Sequence, residues 1–339
     1  MSKFQNHINS EPGATVSDSV VVDGGEPAAE LQLARTASVK CPLLSVGVVS
    51  ISGSDALSFI NGQFTTDCND VTTNVGQLSG WCDPKGRILF LFTLYRNDKQ
   101  IFAVLPRAQI DRFLSRLRMY VLRADVQLVD ITSSSSVFGV IGNAQIGQTD
   151  TSSLTEARAT AHNADGTSIM RQGIGRPRFI VVGPDSTAVD RWRELSIPLA
   201  GEATWCAMDS FAGAPRIDEQ SQGQYLPQQL NLDRLDGVSF SKGCYPGQEI
   251  IARLKYRGDV KKRLRSFVCT GYGDLDAGTR VLSRDDERLV GHVLYAQIID
   301  AKEQIFCAVV DINIAPASIS FEGKSANTVR ELDLPYSVL

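Results

Sequence analysis

Lys242-Gly243-Cys244-Tyr245-Pro246-Gly247-Gln248-Glu249, followed by Ile250-Ile251-Ala252-Arg253, is the stretch on which the fold of this chain turns. Gly243 predicts a backbone turn that other residues resist. Pro246 suits a first helical position, where its missing N–H costs nothing. Ile250, Ile251 and Leu254 then follow at helical spacing, so Cys244 is expected one or two residues before a helix start. The unpaired N–H groups and the positive end of the helix dipole favour an anion there. Lys242 adds a nearby cation. Together they predict a functional thiolate at Cys244, able to act as nucleophile, redox centre or metal ligand. Glu249 falls in the first turn, as a complement to the dipole or as a polar partner for a ligand.

Outward from this stretch, the chain has 339 residues, a formal net charge of −4 and 43% hydrophobic residues. That length suggests two or three domains with sizeable cores. The near-neutral charge gives no global sign of nucleic-acid or anionic-membrane binding. The seven cysteines, 41, 68, 82, 206, 244, 269 and 307, form no C-x-x-C pair. A disulfide framework, a zinc site or an Fe–S cradle is therefore not expected, and a reducing, cytoplasmic compartment is. No stably bound metal is predicted; His162 and His292 stand alone. No apolar run approaches the roughly 20 residues needed to span a bilayer. Cys41, Cys206, Cys269 and Cys307 lie in apolar stretches and read as packed thiols. Cys68 and Cys82 fit either description.

Residues 1–38 mix Ser, Gly, Pro and acids, without the make-up of a secretory or transit peptide, and read as a disordered or loosely attached tail. Residues 39–258 read as an α+β body of two subdomains. Leu43 to Val49 predicts a strand and Gly53-Ser54-Asp55 a helix start with Ser54 as N-cap. Gly76 to Cys82 and Arg87 to Tyr95 form a hairpin around the turn Asp83-Pro84-Lys85-Gly86. Ile110, Phe113, Leu114, Leu117 and Val121 mark the clearest helix. Asn143 to Gly166 reads as a long loop, and Ala203 to Phe211 as a helix. Residues 259–339 alternate strand patterns with Gly- and Asp-containing turns, which predicts a small antiparallel β-barrel.

The stretch from Lys242 to Glu249 resembles the signature K-G-C-[FY]-x-G-Q-E of the YgfZ-type folate-binding proteins. That family is linked to iron–sulfur cluster maintenance and to tRNA modification by an Fe–S enzyme. The likeness extends to Leu226-Pro227-Gln228, Asn231-Leu232-Asp233, Gly237-Val238-Ser239-Phe240 and Tyr256-Arg257-Gly258. It is also seen in Gly53-Ser54-Asp55-Ala56, Gly62-Gln63, Thr66-Asp67 and Pro84-Lys85-Gly86-Arg87. It covers about Leu43 to Leu339 and is weakest between Asn143 and Gly201.

This resemblance implies the fold of the glycine-cleavage T-protein: a cloverleaf of α+β domains with a C-terminal antiparallel β-barrel around a folate channel. It implies tetrahydrofolate or a derivative as ligand, and Fe–S enzymes or cluster-assembly proteins as partners. The signature residues Lys242, Gly243, Tyr245, Gly247, Gln248, Glu249 and Arg253 are carried over with Cys244. Candidates for folate contact are Trp81, Phe240 and Tyr245 as slot residues, Arg87, Arg253 and Arg257 as tail cations, and Gln228 and Asn231 from the lead-in. Ordinary core packing competes with the slot role, and a solvated charged face with the tail role. The T-protein's catalytic aspartate has no counterpart in Ile88-Leu89-Phe90-Leu91-Phe92. Folate binding without aminomethyl transfer is therefore expected. A true tetrahydrofolate-dependent aminomethyltransferase or demethylase is the alternative. tRNA binding by the basic stretch from Arg253 to Arg265 ranks below both.

Overall fold

The computed structural model describes residues 2–11, 15–17, 20–23, 27–271, 275–300, 302–324 and 328–338. Three antiparallel sheets carry the fold. The first orders its strands as Thr160–His162, Ser168–Arg171, Arg178–Pro184, Ser135–Ile141 and Val39–Pro42. The second runs Gln77–Cys82, Ile88–Arg96, Ile101–Pro106, Val46–Ser52 and Gln127–Asp130. The third has six strands: Ile319–Phe321, Arg280–Ser283, Leu289–Ile298, Glu303–Asp311, Lys262–Thr270 and Thr328–Glu331.

The α+β class expected from the sequence, with an antiparallel C-terminal sheet, is the class observed, with one refinement. The third sheet curls as a half-barrel and stays open, since among the described residues its edge strands Ile319–Phe321 and Thr328–Glu331 do not pair with each other. The predicted hairpin is present in register, with Gln77 opposite Leu94 and Trp81 opposite Phe90. Its turn is closed by the Gly86 N–H donating to the Asp83 carbonyl at 2.9 Å. The predicted helix at 110 runs Ile110–Arg118 and buries Ile110, Phe113, Leu114 and Leu117.

Several local expectations are corrected. The strand expected over Leu43 to Val49 starts only at Val46 and runs to Ser52; Leu43 to Ser45 connect it to a separate strand, Val39–Pro42, in a different sheet. Ser54 is not an N-cap; its hydroxyl donates to Asp125 at 2.9 Å, and the helix Ala56–Asn61 starts after Asp55. The stretch from Asn143 to Gly166 is not one long loop, since it holds the short strands Gln145–Ile146, Thr149–Asp150 and Thr160–His162.

The loose tail predicted over residues 1–38 is also corrected where residues are described. Helix Lys3–Asn9 buries Phe4 and Ile8, with Phe4 edge-on to Trp192 at 5.5 Å. Asp185 receives the backbone N–H groups of Lys3 and Phe4. Helix Pro27–Thr36 sends the Glu30 carboxylate to the Gly201 N–H at 2.8 Å, beside the positive end of helix Glu202–Phe211. Composition alone missed this because a polar average hides a few well-spaced apolar anchors.

The two five-stranded sheets meet in one apolar cluster, which includes Val48 and Val104 from one, Val137 and Ile180 from the other, and Trp205 between them. A cavity of about 170 Å³ is left at this junction, closed by helix Glu202–Phe211 and the segment that follows it.

Candidate functional site

The signature forms a loop fastened at both ends. Lys242 is buried, and its ammonium donates to the carbonyls of Asn61, Phe64 at 2.8 Å and Thr66 at 2.7 Å. The expected cation beside Cys244 is thus turned inward. Burial lowers the Lys242 pKa, while the neighbouring Cys68 and Asp67 act to raise it. Tyr245 packs in the core with the Lys242 ammonium 5.2 Å from its ring centroid, and its hydroxyl has no hydrogen-bond partner. Burial first, then the neighbouring Cys82, push that phenol upward.

The glycine roles also differ from the sequence reading. Gly243 has no left-handed backbone, and a Cβ there would meet nothing within 4 Å. Gly247 is the constrained one, with φ +79°. The helix begins at Gln248 with Gly247 as N-cap, so Pro246 lies outside it and Cys244 stands four residues before its first residue, since 248 − 244 = 4. Gln248 now has a physical role: its side-chain amide donates to the Lys242 carbonyl at 3.3 Å, tying the helix start back across the loop.

Cys244 is exposed at the apex of this loop, while the other six cysteines are buried. Burial holds the Cys68 thiol up at about 12 and raises that of Cys82. Both are therefore packed thiols. Glu249 and Arg253 lie on the exposed face of helix Gln248–Arg257.

The eight proposed folate contacts do not share one site, although Gln228 and Phe240 line the same open groove. Trp81 is 2% exposed and stacks on Phe90 at 5.6 Å, with Phe113 edge-on. Gln228 donates to the Ile251 carbonyl at 2.7 Å. The Asn231 amide donates to the Leu264 carbonyl at 2.8 Å. These two lock the lead-in to the signature helix and to the third sheet, as does the bidentate pair between Arg263 and Asp233. Phe240 is half-buried in an open groove, with the Lys255 ammonium 3.6 Å from its ring centroid. Arg87 is exposed and donates to the Gly223 carbonyl at 3.2 Å, and Arg257 is exposed at the helix end. None of the eight lines the central cavity.

That cavity has a different lining. Leu78, Leu91, Phe92, Val104, Leu105 and Ile180 supply apolar walls. Helix Glu202–Phe211 turns Glu202, Trp205 and Asp209 toward it, and Arg158, Arg178 and Arg216 supply cations. Arg178 is ion-paired with Asp209 and lies 5.7 Å from the Trp205 ring centroid. Glu202 accepts from the Ser45 hydroxyl, and burial raises its pKa. A flat ring system with an anionic tail matches this chemistry of apolar walls, one aromatic face and surplus positive charge. Leu78, Leu91 and Ile217 also belong to the apolar cluster that holds Tyr245, so the signature loop and the cavity share one core. The i, i+3, i+7 spacing of Glu202, Trp205 and Asp209 was the available sequence signal for this site.

Among the described residues, no cluster of three His, Cys, Asp or Glu side chains could hold a metal ion, and no helix is long and apolar enough to cross a membrane.

Residues 26–146 match the GCVT N-terminal domain. The chain superposes on the glycine cleavage system aminomethyltransferase T from Bartonella henselae with a TM-score of 0.76 and 12% identity, covering 97% of this chain and 96% of that one. At that identity the likeness speaks for the fold. It is 31% identical over 301 residues to the tRNA-modifying protein YgfZ of Klebsiella pneumoniae (strain 342), covering 86% of this chain and 90% of the relative. The YgfZ of Escherichia coli O6:K15:H31 (strain 536 / UPEC) is likewise 31% identical over 320 residues, 89% and 96% of the two chains. At this identity and over nearly the whole of both sequences, the chain belongs to the family of the tRNA-modifying protein YgfZ.

Proposed function

We propose that the protein is a folate-binding accessory factor that supports iron–sulfur enzymes of tRNA modification, with Cys244 as its reactive thiolate. The observation that carries this reading is that Cys244 is the one exposed cysteine of seven, presented on a loop pinned by Lys242, Tyr245 and Gly247. A pinned loop with an open sulfur holds a nucleophile ready without spending its thiol on packing.

The ligand of this reading is tetrahydrofolate or a derivative; the apolar walls and Trp205 of the central cavity offer the chemistry its rings need, and the arginines the charge its carboxylates need. Reduced folates carry one-carbon units when bound. The chain's own contribution is the slot, the cations and the separate sulfur. A single sulfur does not hold a cluster alone, so its partners are Fe–S enzymes or cluster-assembly proteins that bring further ligands.

Anaerobic calorimetry with reduced folates, on the wild type and Cys244→Ala, tests the ligand. Complementation of Fe–S-dependent tRNA modification in cells tests the sulfur. Cys244→Ala is expected to bind folate as the wild type does and to lose support of the Fe–S enzyme. Full support by that variant would discredit the thiolate role.

A second reading, aminomethyl transfer, is favoured only by the buried carboxyl of Glu202 in the cavity. Strand Ile88–Arg96 carries no carboxylate, and Asp209 is committed to Arg178. Release of methylenetetrahydrofolate from an aminomethyl donor would establish it.

A further inference from the structure

We propose that Arg158 is the counter-ion for a ligand carboxylate in the central cavity, namely the glutamate tail of a folate. This rests on the folate reading above and assigns the residue that selects for the tail.

The cavity's three arginines are not equivalent. Arg178 is ion-paired with Asp209 and stacked near Trp205. Arg216 contacts the Cys206 sulfur and lies 5.7 Å from the Tyr295 ring centroid. Arg158 makes neither an ion pair nor a ring contact among the described residues. Its one side-chain hydrogen bond reaches the Gln172 carbonyl oxygen at 3.5 Å, at the limit of such a bond.

Two further features single it out. Its backbone is left-handed, with φ +69°, which a non-glycine residue adopts only when the surroundings enforce it. The surroundings do so here. The Arg158 carbonyl accepts from the Gly76 N–H at 2.9 Å and the Thr160 hydroxyl at 3.1 Å, beside the Val75–Ala159 bridge that joins the two five-stranded sheets. The side chain is thus aimed by the junction of the sheets. Its electrostatics agree. Loss of solvent, and then the neighbouring Arg178, lower the guanidinium to about 10, against a weaker opposing pull from Asp236 and Asp209. Such a cation gains from a carboxylate, and the tail is the anionic part of a folate.

Calorimetry with two ligands isolates this role: tetrahydrofolate, and a tetrahydropterin that lacks the benzoylglutamate tail. The variants are Arg158→Asn, whose side chain tolerates the left-handed backbone, and Arg158→Lys, which keeps the charge. Arg158→Asn is expected to weaken tetrahydrofolate about tenfold or more while leaving the tetrahydropterin within about twofold. Arg158→Lys should fall between Asn and wild type for tetrahydrofolate. Equal weakening of both ligands, or undiminished tetrahydrofolate affinity in Arg158→Asn, overturns the assignment. If the wild type binds neither ligand, the folate reading fails and takes this one with it. Thermal melts of each variant separate loss of binding from loss of fold.

Discussion

Gly247 lies directly on Gly86: a Cβ at 247 would stand 2.4 Å from the Gly86 Cα and 2.5 Å from its nitrogen. The tip of the hairpin and the start of the signature helix therefore meet backbone to backbone. Gly247→Ala combines this overlap with a left-handed φ of +79° and should destabilise the protein by on the order of 3 kcal/mol. Gly243→Ala meets open space and should change stability by less than about 0.5 kcal/mol. Urea titrations of the pair check the contrast. Equal losses in both would mean that the backbone of the loop is not held as described.

Lys242 is a structural cation. Lys242→Met leaves the carbonyls of Asn61, Phe64 and Thr66 without its ammonium in a buried site. A loss of about 3 kcal/mol or more is expected. Hydrogen exchange over residues 61–68 should rise with it. A variant as stable as the wild type would place the ammonium outside this carbonyl cage.

Cysteine reactivity gives a direct test of the site. Only Cys244 is exposed, so brief treatment of the folded protein with iodoacetamide should label one cysteine per chain. Intact mass and peptide mapping read the result. Cys244→Ala should abolish native labelling and shift stability by less than about 0.5 kcal/mol. Early labelling at Cys68 or Cys82 would contradict their burial.

Glu202 makes stability depend on pH. Burial raises its pKa above the ordinary value of 4.5, although the Ser45 hydrogen bond and the Arg216 charge oppose the shift. A carboxyl with a raised folded-state pKa stabilises the fold below its unfolded value and loses that contribution as pH rises through the folded one. Glu202→Gln mimics the protonated form. It should melt a few degrees higher than wild type at pH 7–8, and the two curves should converge as pH falls toward 4.5. Thermal melts from pH 4 to 8 measure this, and a constant difference across the range would remove Glu202 as its source.

The sequence made some features legible and hid others for physical reasons. The hairpin could be read because Asp83-Pro84-Lys85-Gly86 is a local turn, and the turn is where those residues put it. The helix at Ile110 could be read because its apolar spacing is regular. The signature could be located, but its internal wiring could not. Lys242 reaches residues 61–66, Gly247 meets residue 86, and no local rule foresees contacts across that separation. Trp81 and Gln228 resembled ligand contacts because aromatic and amide groups serve either purpose; the stacking of Trp81 on Phe90 and the bond from Gln228 to the Ile251 carbonyl join residues too far apart in sequence for a local pattern to show. The cavity escaped detection because its charged lining comes from the weakly patterned region between Arg158 and Arg216, where only the stripe on helix Glu202–Phe211 left a trace.

The carbonyl cage around the Lys242 ammonium also limits how the nearby sulfur can operate. A side chain bonded to three backbone oxygens of another element cannot swing out as an arm. On the reading proposed above, Cys244 is therefore presented next to an anchored residue, and a reacting partner must come to it.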